Sequence, residues 1–88
     1  MKAKANLKLR KVGDRYMLVD VSEKDANVTN VYTLNDTAAF VWTRLAAGIS
    51  GEAQLAEALC AEYDVAPATA LADVRKLLAS WRESGLIL

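Results

Sequence analysis

The stretch Thr33-Leu34-Asn35-Asp36-Thr37-Ala38-Ala39-Phe40-Val41-Trp42 is where the chain changes its hydrophobic period, and its reading decides the fold. Before it, apolar residues alternate at period two, as in strands with one buried face. After it, Ala38, Val41, Trp42 and Leu45 recur at i, i+3, i+4 and i+7, a stripe suited to packing a helix on a sheet. Between the two, Asn35 or Asp36 can cap the free N–H groups of a helix beginning near Thr37. Phe40 lies off the stripe.

Upstream of this junction, Val28-Thr29-Asn30-Val31-Tyr32-Thr33-Leu34 is β-branched and aromatic and predicts a strand over about 28–34. Leu7 and Leu9 alternate with Lys8 and Arg10, which predicts a strand over about 6–12. Gly13-Asp14 offers a turn into a second β-rich run over about 16–21, and a polar loop from Ser22 to Asn27 leads to the third strand. A three-stranded antiparallel meander is the economical topology.

Downstream, Gly48 closes a first helix over about 36–47, and Ser50 is positioned to cap a second over about 51–63. The buried face of that second helix is Leu55, Leu59 and Tyr63, with Ala56 and Cys60 beside it. Pro67 suits the first turn of a third helix over about 67–84, since its missing N–H costs nothing there. Leu71, Val74, Leu77, Leu78 and Trp81 form a stripe on it wide enough to meet two surfaces. Gly85 ends it, and Leu86-Ile87-Leu88 folds back onto the core. The fold class is α+β, winged helix-turn-helix-like, a three-stranded meander followed by three helices. With 88 residues it is one domain, 53% hydrophobic and 25% charged, as a globular chain is.

Chemistry is sparse. The chain has no histidine and one cysteine, Cys60, which reads as a buried structural thiol. Its acidic residues show no metal-ligand spacing, and no phosphate-binding glycine motif occurs. No catalytic residue, metal or cofactor is expected. No apolar stretch is long enough for a membrane span or a secretory segment, which predicts a cytoplasmic protein. The net charge of zero hides an asymmetry: Lys2, Lys4, Lys8, Arg10, Lys11 and Arg15 face Asp14 alone in the first 15 residues. They form either a basic edge or solvated side chains that blunt a sheet edge against unwanted pairing.

Three helices with a small sheet also describe a winged-helix DNA-binding module, whose recognition helix would be the third. That helix carries Arg75, Lys76 and Arg82 but also Asp73 and Glu83, and the neutral domain argues against a nucleic-acid partner. A meander leaves another opportunity. The third strand has one unpaired side, whose backbone groups can accept an extended peptide beside the third helix. The candidate site is Val28, Thr29, Asn30, Val31, Tyr32 and Thr33 as the ladder, with Val74, Arg75 and Leu78 as the wall. About five added residues give four or five hydrogen bonds of about 1 kcal/mol each. A micromolar complex needs about 8 kcal/mol, so the wall must supply the balance. The same edge can recruit a second copy, which leaves a self-associating scaffold as a further alternative.

The junction from Thr33 to Trp42 resembles the signature of the PqqD family, the small pyrroloquinoline quinone biosynthesis proteins D and their relatives. Gly48, the run Ala61-Glu62-Tyr63-Asp64-Val65, then Asp73-Val74 with Leu77-Leu78 and the closing Gly85-Leu86-Ile87 are similar to that family in order and spacing. The resemblance covers roughly Leu7 to Leu88. It implies a non-catalytic recognition element that binds the leader of a ribosomally made precursor peptide as an extra strand on the third strand. It also implies presentation of that peptide to a modifying enzyme, often a radical SAM protein. The longer loop from Ser22 to Asn27 points to a relative of the founding members and to a substrate that need not lead to pyrroloquinoline quinone.

Overall fold

The computed structural model describes residues 2–4, 7–20, 31–49 and 51–87. The elements run β1 (Leu7–Val12), β2 (Arg15–Asp20), β3 (Val31–Leu34), α1 (Asp36–Ala46), α2 (Glu52–Glu62) and α3 (Pro67–Glu83). The sheet is antiparallel in the order β1-β2-β3, the meander expected from the hydrophobic pattern. Gly13 and Asp14 make a two-residue loop between β1 and β2, and Gly13 takes the positive φ of 65° that tight hairpin turns require. Val28, Thr29 and Asn30, expected in the third strand, and the expected Ser22–Asn27 loop lie outside the described residues.

Register sorts the side chains. Leu9 lies opposite Leu18, which lies opposite Tyr32, while Tyr16 lies opposite Leu34. These residues share one face of the sheet and belong to, or pack against, the core with Trp42, Val41, Leu59 and Val74. The other face carries Lys8, Arg10 and Val12 from β1, Arg15, Met17 and Val19 from β2, and Val31 and Thr33 from β3. None of these eight joins the core.

The strand-to-helix junction is held by Asn35. Its Oδ1 accepts from the Ala38 N–H at 2.8 Å and from the Thr37 hydroxyl at 3.0 Å, so α1 starts at Asp36, one residue before Thr37. Asn35→Ala is expected to cost about 1 kcal/mol. Thermal unfolding followed by circular dichroism should show this as a drop in Tm of about 4–8 °C.

The start of α2 differs from the expectation. The cap of α2 is Gly51, in extended conformation with no side-chain hydrogen bond, and not Ser50. Either residue type suits a helix start, and sequence alone does not rank two adjacent ones. Pro67 occupies the first turn of α3 as expected. At the other end, the Gly85 N–H donates to the Arg82 carbonyl and the Leu86 N–H to the Trp81 carbonyl, with Gly85 at φ 77°. This paired arrangement turns the chain back on itself. Leu86 and Ile87 are buried, and Ile87 bridges Ala3 in antiparallel fashion. Cys60 is half-buried instead of buried, because it borders a cleft between α2 and α3.

Candidate functional site

β3 is an edge strand. β2 pairs with one side of it, and among the described residues no strand pairs with the other. The C-terminal tail pairs with the segment around Ala3, not with β3. In an antiparallel ladder every second residue aims its N–H and C=O away from its partner, so β3 holds backbone groups toward open space. The two free edges of this sheet differ in chemistry. β1 reads LKLRKV, with three cations, whereas β3 reads VYTL, with no charge at all. Charged residues deter pairing, and β3 has none of them.

Side chains along β3 alternate as the register demands. Val31 and Thr33 are exposed, Val31 at 50%, while Tyr32 is half-buried on the helix side. Leu34 is buried and leads into Asn35. A cleft of about 240 Å³ opens there, lined by Asn35 and Thr37 from the start of α1 and by Asp73, Lys76 and Leu77 from α3. This flank of α3 therefore meets the junction that follows β3, although no residue of β3 itself lines the cleft.

The residues of that wall differ from those expected. Val74 and Leu78 are core residues, 0% and 2% exposed, and present no surface for a partner in this structure. Arg75 sits on the α2 side of α3, where its Nε donates to Glu52 Oε2 at 2.8 Å. The flank of α3 that lines the cleft with Asn35 and Thr37 is Asp73, Lys76 and Leu77. The wide stripe does meet two surfaces: Leu77 borders this cleft, and Leu71 borders the cleft beside α2. The clue available in sequence was position, since Leu77 stands at the margin of the stripe and Val74 and Leu78 at its centre.

A further cleft of about 320 Å³ lies on the β1–β2 side of α1, between Leu9, Tyr16, Phe40, Arg44 and Tyr63. Phe40 meets Tyr63 edge to face with ring centroids 5.7 Å apart, and the Arg44 guanidinium lies 5.0 Å from the Phe40 centroid. Here Phe40, off the helical stripe, finds its packing. Burial pushes the Tyr63 phenol above the usual tyrosine range, with the charges of Asp36 and Glu62 and the nearby Tyr16 adding to the shift. The phenol therefore stays protonated through neutral pH. No residue of β3 or α3 lines this cleft.

Among the described residues no polar or charged side chain is buried, and no group of three or more His, Cys, Asp or Glu gathers as metal ligands. No helix among them is long and apolar enough to cross a membrane. What the geometry offers is an open backbone edge with a mixed apolar and charged cleft at its end.

Comparison with known proteins adds to this. A family model described as coenzyme PQQ synthesis protein D (PqqD) matches residues 15–87. No curated protein matches the sequence. Among solved structures, TbiB1 in complex with the TbiA(beta) leader peptide is similar at a TM-score of 0.77 with 22% identity. The match covers 99% of this chain and 94% of that one, and at this identity it speaks to the fold. A lasso peptide synthetase B1 complexed with its leader peptide gives a TM-score of 0.76 with 28% identity, covering 99% of this chain and 95% of that one.

Proposed function

This chain belongs to the PqqD family, and from that membership we propose that it is a non-catalytic adaptor that captures the leader of a ribosomally made precursor peptide on β3. The observation that carries the reading is the contrast between the two sheet edges: β1 is guarded by Lys8, Arg10 and Lys11, and β3 is left uncharged and unpaired among the described residues. The similar lasso peptide synthetase B1, solved with a leader peptide bound, supports the same class of partner.

The capture mode follows from the geometry. An extended leader adds antiparallel to β3, its backbone pairing with the outward N–H and C=O groups of residues 31–34, and with Val28, Thr29 and Asn30 if the ladder continues upstream. Its helix-side residues meet Tyr32 and Leu77, and an acidic leader residue finds Lys76 at the end of the cleft. Backbone pairing is indifferent to sequence, so choice among peptides falls to this cleft. The adaptor holds the leader while a modifying enzyme, in our reading a radical SAM protein, acts on the rest of the precursor in the cytoplasm.

An amide NMR titration with the leader of a precursor peptide encoded beside this chain tests the proposal. The expected result is saturable shifts concentrated in Val31–Leu34 and around Asp73–Leu77. Shifts confined to the cleft around Phe40 and Tyr63, or no shifts at all, would overturn it. Sedimentation across a concentration series, run alongside, separates capture of a peptide from pairing of β3 with a second copy.

A further inference from the structure

The sheet has a second feature that peptide capture at its edge leaves unused. Strand alternation places Lys8, Arg10 and Arg15 on the face turned away from the helices, interleaved with Met17, Val19 and the valines of β1 and β3. Val12 and Val31 are 56% and 50% exposed, the exposed large hydrophobic side chains among the described residues. The three cations are exposed, and none has an ion-pair partner among the described residues. Asp14 and Asp36 border a cleft with Arg15 at the hairpin end of the sheet, while Lys8 and Arg10 have no acidic residue opposite them in the register.

We propose that this outer face docks an acidic, partly apolar surface of the enzyme that modifies the captured peptide, a proposal that rests on the capture reading above. Exposed apolar side chains interleaved with arginines suit a protein partner, since arginine is enriched at protein interfaces. The strands are about 4.8 Å apart and rise about 3.4 Å per residue, so the three charges lie within a Debye length or two of about 8–10 Å. They act together on an approaching acidic surface and speed its encounter. A second copy of this chain is disfavoured, because its own Lys8, Arg10 and Arg15 would meet their like. Nucleic acid and anionic lipid both want cations, but neither accounts for the exposed Val12 and Val31 on the same face as the cations.

The location suits an enzyme in particular. A peptide added to the β3 edge leaves the outer face open, so both partners fit at once. Because an added strand continues the pleat, alternate leader side chains emerge on this same face beside Val31 and Thr33. The docked enzyme then touches the peptide it is to act on, and by linkage each partner strengthens the binding of the other.

The test uses the full chain, a synthetic leader and the purified modifying enzyme encoded beside it. The double reversal Arg10→Glu/Arg15→Glu is expected to leave leader affinity within about twofold while weakening enzyme binding about tenfold or more, and to flatten its salt dependence. Retained leader binding also reports that the variant is folded. Should the reversal disturb folding, Val12→Glu, at an exposed position, gives the same reading: weaker enzyme binding with leader binding kept. Enzyme affinity unchanged in both variants overturns the proposal, as does a native chain that binds no enzyme. So does binding of duplex DNA or anionic vesicles that the reversal abolishes while enzyme binding stays intact. Failure of the native chain to bind leader, with enzyme docking still sensitive to the reversal, counts against peptide capture and not against the face.

Discussion

Proline placed singly at Tyr32 and at Thr33 is expected to give opposite outcomes. In the β2–β3 ladder these neighbours face Leu18 and Met17, so one directs its N–H into the sheet and the other directs it outward. Proline removes that donor and adds a ring in its place. At the inward position a ladder bond is lost and its acceptor left unmatched, costing about 1–3 kcal/mol. The Tm then falls by about 4–8 °C for each kcal/mol. At the outward position the fold stands, but the incoming strand loses one backbone bond and is crowded at the next. A loss of about 2 kcal/mol corresponds to a leader affinity about 30-fold weaker. Fluorescence anisotropy with a labelled leader, paired with thermal melts, reads both, and Tyr32→Ala and Thr33→Ala control for the side chains. Two prolines that both leave leader affinity intact in folded protein would remove β3 as the site.

Trp81→Ala is expected to be the most damaging single substitution for the fold. Trp81 and Trp42 are 4% and 3% exposed and meet edge to face, with centroids 5.2 Å apart and planes at 89°. The contact joins α3 to α1, and the turn at Gly85 brings Leu86 back over it by way of the Trp81 carbonyl. Truncating a buried tryptophan costs about 3–5 kcal/mol, and the aromatic pair contributes about 1 kcal/mol beyond its area. Against a total stability of about 5–15 kcal/mol, a drop in Tm of 20 °C or so is expected, near the edge of unfolding at 37 °C. Differential scanning calorimetry measures it directly. Trp81→Phe keeps an edge contact and should lose less. If Trp81→Ala melts within a few degrees of the native chain, the two tryptophans do not hold the helices together.

Much of this architecture was legible in the sequence, and the junction at Leu34-Asn35-Asp36 shows why. A change of period, a capping residue and a following apolar stripe are local signals, and each agrees with the others. Gly13, Gly48 and Gly85 were readable for the same reason, since each sits where the backbone takes a positive φ. The wall of the cleft was harder. Periodicity reports how wide the apolar stripe of α3 is, but which part lies under the sheet depends on how α3 is rotated against α1 and β3. That rotation buries Val74 and Leu78 and leaves Asp73, Lys76 and Leu77 at the cleft. Arg75 neighbours the stripe, and that position alone suggests a peptide-facing role. Its pairing with Glu52, 23 residues away, is a tertiary contact with no local signature. An exposed pair of this kind contributes little stability, about 0–1 kcal/mol, yet it settles where the guanidinium points.

The bridge between Ala3 and Ile87 bears on how such a unit can be combined with others. It draws the chain leaving the N-terminal side and the chain leaving the C-terminal side to one spot. A folded unit whose two strands of connecting chain meet at a point can be spliced into a surface loop of a larger polypeptide without prising that loop apart. Covalent tethering of this kind would raise the local concentration of whatever shares the polypeptide, so an encounter that is bimolecular for the free chain becomes a search within one molecule.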